Sequence, residues 1–111
     1  MRSLMLTLLL SPLLWAQQGI VGKVHFTGGT VVRVTNHVVV LSWNVCTGAG
    51  SYNVYRGTAH GGPYTKIIAG STSSSAIDQR AQHGATYYYV ITSVNSQGES
   101  GYSNETIATI P

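Results

Sequence analysis

The chain carries three carboxylates, four histidines and one cysteine, so few residues are available for acid–base, metal or thiol chemistry. Asp78, Glu99 and Glu105 stand far apart in sequence. Glycoside cleavage needs two carboxylates facing each other across a cleft. Glu99 and Glu105 could at best share one end of a sheet, which argues against a catalytic pair. His25, His37, His60 and His83 form no H-x-x-x-H or Cys/His cluster, so no metal ligands are assigned. No G-x-S-x-G elbow supports a serine nucleophile. The glycines at 57, 61 and 62 are not followed by the Gly-Lys-Ser/Thr of a phosphate loop. The residues therefore point to no catalytic site and no cofactor. Asn104-Glu105-Thr106 matches a glycosylation acceptor.

Cys46 is the sole cysteine, so an intrachain disulfide is excluded and the core must carry the stability. It reads as a small buried hydrophobe continuing the Trp43 strand, the other reading being an intermolecular disulfide. The formal net charge is +3, with the basic residues scattered. Nucleic acid would require several phosphate contacts on one face, so it is not an expected partner. Charged residues make up only 8% of the chain, so Ser, Thr, Asn, Gln and Gly must cover the surface. That suits a wet extracellular module.

Residues 1–16 read as a secretory leader, with Arg2, an apolar run from Leu4 to Leu14, and the small Ala16. The run is too short for a bilayer, which needs roughly 20 apolar residues. No stable membrane span is expected after leader removal, and the mature protein is expected to be secreted or at the cell surface, the periplasm being the alternative. Residues 17–29 read as a Gly-rich linker or arm with one short strand at 20–26.

The remainder reads as strands. Residues 30–34 form the first and 38–43 (VVVLSW) the second, with Asn36-His37 as a tight turn. Alternation puts Val39, Leu41 and Trp43 inward. Strands follow at 52–56, 64–69, 75–78, 86–94 and 103–110. Residues 86–94 are nearly all β-branched or aromatic, a composition that fits a pleated, half-buried surface. Tyr52 and Val54 face inward on one strand, and Tyr87, Tyr89 and Ile91 share a face on another. Seven short strands at 8–12-residue spacing, without a helical period, predict an all-β sandwich.

The pieces VVVLSW, YNVYRG, GGPYTKI and GATYYYVITSVNSQGES, followed by YSNE, resemble a fibronectin type III domain over residues 30–111. The likeness is greatest to domains of secreted bacterial proteins. It implies a seven-stranded immunoglobulin-like sandwich of two antiparallel sheets, with Trp43 as the core tryptophan. It also implies that the Tyr87 hydroxyl bonds the backbone of the preceding loop. A carbonyl near residues 80–82 is the expected partner. The Arg-Gly-Asp tripeptide is absent, so integrin binding is not implied.

On that scaffold the outward residues Tyr55, Tyr88 and Val90, with Tyr102 near the loop end, form a candidate binding surface for a protein or polysaccharide. Cross-strand aromatics also stabilise a sheet without binding anything. The expected function is a non-catalytic exported interaction or spacer module. The alternatives are a carbohydrate-binding module using the tyrosine face, and a structural subunit of an extracellular assembly that donates residues 17–35 as a strand.

Overall fold

Among the described residues, eight strands form two antiparallel sheets whose facing sides enclose one core. The structure, a computed structural model, describes residues 22–111, with side chains at all of these except 26–30 and 32. The leader and residues 17–21 of the proposed arm lie outside the described residues. β1 (Phe26–Thr35), β2 (Val38–Trp43) and β5 (Ser75–Asp78) make the first sheet, in the order β1-β2-β5. β3 (Ser51–Gly57), β4 (Tyr64–Ser71) and β6 (Thr86–Asn95) make the second, with β7 (Gly98–Glu99) and β8 (Thr106–Thr109) both pairing with β6. Residues 22–25 form no strand, and β1 starts four residues before the strand expected at 30.

Local chemistry sets the turns. Thr35 pairs with Val38, so Asn36-His37 closes a two-residue hairpin. Such hairpins need left-handed backbone, and His37 sits there at φ 65°. Its Nδ1 lies 2.9 Å from the Ala81 carbonyl oxygen, which ties the hairpin tip to the loop before β6. Gly57 ends β3 where a Cβ would meet the Pro63 carbonyl oxygen at 2.6 Å, so only glycine fits.

Val39, Leu41 and Trp43 enter the core from the first sheet, and Tyr52, Val54, Tyr87, Tyr89 and Ile91 from the second; all are buried. Burying each such aliphatic side chain is worth about 1.5–3 kcal/mol. Ala108 and Ile110 close one end, and Val24 joins the cluster from the segment before β1. Trp43 and Tyr52 meet edge to face at 5.5 Å. The Tyr52 hydroxyl accepts a 2.8 Å hydrogen bond from the Cys46 amide. Cys46 lies beyond the end of β2 and is half-buried, its thiol 3.2 Å from the Gly22 carbonyl oxygen.

Tyr87 does bond the preceding loop, but not to a carbonyl. Its hydroxyl accepts from the Gln82 amide at 3.1 Å. A phenol donates or accepts equally well, and here the loop presents an N–H.

The strand count differs from seven because the last strand is interrupted. β7 pairs at Val94↔Glu99, β8 pairs from Tyr89↔Thr106, and residues 100–105 leave the strand path between them. Two serines bridge the gap. Ser100 donates its amide to the Ser93 carbonyl at 2.8 Å, and its hydroxyl accepts from the Ser93 amide at 2.9 Å. Ser103 repeats this at Ile91, with both distances 2.8 Å. Each hydroxyl thus takes the place of a ladder carbonyl, and β6 keeps its amides satisfied. The two-residue step between these serines, Gly101-Tyr102, is freed to bulge outward, and Tyr102 is 43% exposed.

Candidate functional site: a tyrosine patch between two carboxylates

Tyr102 is the centre of the patch. Its ring meets Tyr55 of β3 at 5.1 Å and 71°, and Tyr64 at the start of β4 at 5.1 Å and 75°. Both are edge-to-face geometries, worth about 0.5–1.5 kcal/mol beyond burial. The strand register explains the gathering. Tyr55 lies opposite Lys66, and Gly57 lies opposite Tyr64, so Tyr55, Lys66 and Tyr64 share the outer face of the β3–β4 pair. The serine-spanned bulge swings Tyr102 over that face.

A carboxylate holds each flanking tyrosine. Glu99 Oε2 accepts from the Tyr55 hydroxyl at 2.5 Å, Thr92 Oγ1 at 2.6 Å and Asn53 Nδ2 at 3.0 Å. Glu105 Oε2 accepts from the Tyr64 hydroxyl and from the Gly61 amide at 2.9 Å, and its Oε1 lies 2.6 Å from His60 Nδ1. Lys66 Nζ sits 5.8 Å from the centre of the Tyr55 ring. A groove of about 210 Å³ runs beside Tyr102, lined by Tyr55, Thr92, Glu99, Ser100 and Gly101.

These bonds shift the acidities. Hydrogen bonds from Thr92, Tyr55 and Asn53 pull Glu99 down from its ordinary 4.5 to about 2, against the opposing effect of burial. Burial, then the bond to Glu99, pushes Tyr55 up to about 12. Tyr64 is raised to about 12 by burial and by Glu105. Burial raises Glu105, but the bonds from Tyr64, the Gly61 amide and His60 outweigh it, and the carboxyl lies below its usual range. Both carboxylates are therefore ionised at neutral pH, and both tyrosines are neutral donors.

A group whose folded-state pKa is depressed stabilises the fold above its unfolded value and ceases to do so as pH falls through the folded value. Glu99 therefore contributes fully above about pH 4.5, and its contribution disappears on the way down to about pH 2. Denaturant unfolding should show the wild type losing stability over that window and Glu99→Gln losing less of it. Equal losses in the two proteins would contradict the assignment.

The structure joins two of the four surface residues singled out in the sequence. Tyr55 and Tyr102 are in contact. Tyr88 is half-buried and stands with His60 instead, ring centres 6.3 Å apart. Val90 is not a surface residue at all, being 2% exposed. It lies directly across from Tyr55, with Tyr88 and Thr92 two positions to either side on the same face. Tyr64, Glu99 and Glu105 were not among the expected binding residues. The alternation Tyr64, Lys66 on β4 was the available signal for Tyr64. The third acid, Asp78, is buried in a separate network with Arg56 and Tyr89. Among the described residues, no group of three or more His, Cys, Asp or Glu is placed to hold a metal ion. No helix among them is long and apolar enough to cross a membrane.

No protein-family model matches the chain. Over 71 residues, 63% of this chain, it is 44% identical to an amylopullulanase from Thermoanaerobacter thermohydrosulfuricus, covering 5% of that enzyme. Over 84 residues, 75% of this chain, it is 36% identical to a poly(3-hydroxybutyrate) depolymerase from Ralstonia pickettii, covering 16% of it. The chain thus spans a small fraction of these enzymes' lengths. Among solved structures, an Fn3-like protein from Clostridium thermocellum superposes with a TM-score of 0.65 at 34% identity, over 82% of this chain and 91% of that one.

Proposed function

The chain belongs to the fibronectin type III family, and from that premise we propose that it is a non-catalytic interaction module whose contact surface is the Tyr55–Tyr102–Tyr64 patch. The observation that carries this is Tyr102 itself, displaced from the sheet by the bulge, braced by two rings and still 43% exposed. A large aromatic held rigidly at the surface supplies contact area at little entropic cost. The carboxylates support a non-catalytic role, since each is committed to holding neighbouring side chains. Its likeness to short segments of an amylopullulanase and a depolymerase supports a role beside a polymer-acting enzyme. The leader-like residues 1–16 support export of the chain, with a secreted or cell-surface setting.

Two measurements test this. The purified chain incubated with pullulan should release no reducing ends above buffer. Sustained release that disappears in Glu99→Gln would overturn the non-catalytic reading. A panel of immobilised pullulan, xylan, chitin and oligolysine should retain the wild type on at least one member. Tyr102→Ala should weaken that retention by about tenfold or more, equivalent to roughly 1.4 kcal/mol. Retention on none of them would leave the domain as a spacer.

A further inference from the structure

We propose that the groove between Tyr102 and Glu99 is a subsite for one ring of a neutral glucan chain, an inference that rests on the interaction reading above. Its residues supply both things a sugar ring needs. The exposed Tyr102 ring offers an apolar face for C–H groups, and the polar lining offers fixed partners for hydroxyls.

The free acceptor is Glu99 Oε1. The three bonds that Glu99 receives all end on Oε2, and among the described residues nothing bonds Oε1. The carboxylate is held in place from one side, and because Glu99 is exposed its second oxygen faces solvent and is open to a donor. A sugar hydroxyl donates to such an oxygen through a charge-assisted bond, shorter and stronger than a neutral one.

Charge decides between a neutral and a cationic occupant. Lys66 stands over the Tyr55 ring and acts electrostatically on Glu99, so the carboxylate already has a counter-charge. A cationic peptide would have to displace that ammonium and approach a chain of net charge +3. A polyol does neither. Size points the same way. At about 210 Å³ the groove is smaller than the roughly 300–1,000 Å³ that encloses drug-sized ligands, which suits one ring of a chain passing over an open surface. A single ring held this way binds weakly, and useful retention comes from repetition along a polymer.

The experiment titrates maltoheptaose into the isotope-labelled whole chain and follows the amide resonances, with oligolysine as a parallel arm. Saturable shifts are expected at Ser100, Gly101 and Tyr102 with maltoheptaose. Tyr102→Phe should retain binding, while Tyr102→Ala and Glu99→Gln should each weaken it about tenfold. Unchanged spectra elsewhere in those variants establish that they are folded. Binding of oligolysine at these amides without maltoheptaose binding would overturn the glucan assignment and leave the interaction reading standing. No shift with maltoheptaose at tens of millimolar, or shifts confined to residues outside the groove, would also overturn it.

Discussion

Asp78→Ala should lower the unfolding free energy by about 3 kcal/mol, the cost of leaving the fully buried Tyr89 hydroxyl and the half-buried Arg56 charge without their shared partner. For a domain of this size each kcal/mol moves Tm by roughly 4–8 °C, so the effect should be unmistakable in a thermal melt. The reason is topological. Asp78 ends β5 in one sheet, whereas Arg56 and Tyr89 are paired in register on β3 and β6 of the other. Its Oδ2 accepts from Arg56 at 2.9 Å and from the Tyr89 hydroxyl at 2.7 Å, and Oδ1 accepts from the Arg80 amide at 3.0 Å. Asp78 is 4% exposed and Tyr89 is fully buried, so water cannot replace the partner of the Tyr89 hydroxyl, while the Arg56 side chain, 23% exposed, is left only half-buried. The Arg56 guanidinium also lies 4.5 Å from the centre of the Tyr87 ring, so freeing it disturbs the neighbouring core.

The ionisation behaviour agrees. Burial raises the Asp78 carboxyl, but the bonds from Tyr89, the Arg80 amide and Arg56 prevail and hold it below its usual range. Burial, then the Asp78 bond, keeps Tyr89 protonated far beyond the normal tyrosine range. Tyr89→Phe removes one of the three bonds and leaves the ion pair, so it should cost distinctly less than Asp78→Ala. A loss under 1 kcal/mol for Asp78→Ala would mean that the sheets are joined by apolar packing alone.

Trp43→Ala should cost about 3–5 kcal/mol, from transfer and cavity effects together. Trp43 is 3% exposed and packs against Tyr52 between the sheets. Its indole nitrogen is buried with no hydrogen-bond partner among the described residues. An unpaired buried donor costs about 1–3 kcal/mol. Trp43→Phe discards that donor while keeping an aromatic ring in place. Phe should therefore recover more than half of the stability that Ala loses, as read from denaturant midpoints. If Phe proves as damaging as Ala, the indole has a partner or an unreplaceable shape.

The sandwich was legible because its evidence is local. Period-two alternation needs only neighbouring residues, and it marks Val39, Leu41 and Trp43 as one face of β2. It misleads on β6, where Val90 and Thr92 are buried as well as Tyr89, Ile91 and Ser93. β6 has a strand on each side, β3 on one and β7 with β8 on the other, so outward side chains of these neighbours crowd its short outward residues. Alternation cannot report that. The site was less legible because it depends on long-range encounters. Tyr55 and Glu99 are 44 residues apart, and Tyr64 and Glu105 are 41 apart. Nothing in the local pattern says that a bulge will bring Tyr102 between them. Ser100 and Ser103 look like ordinary loop polar residues. Only the backbone path shows their hydroxyls standing in for carbonyls.

That substitution also governs how copies of the domain behave towards one another. β7 and β8 form one border of their sheet, where an intact strand would offer a long row of unpaired peptide groups to any extended chain nearby. Here the row is broken after two residues by six that follow another course. A foreign strand arriving there finds no continuous template on which to grow. The kink that displays the tyrosine also guards the border against fibril-like stacking, so straightening it would expose the chain to aggregation as well as withdraw the ring.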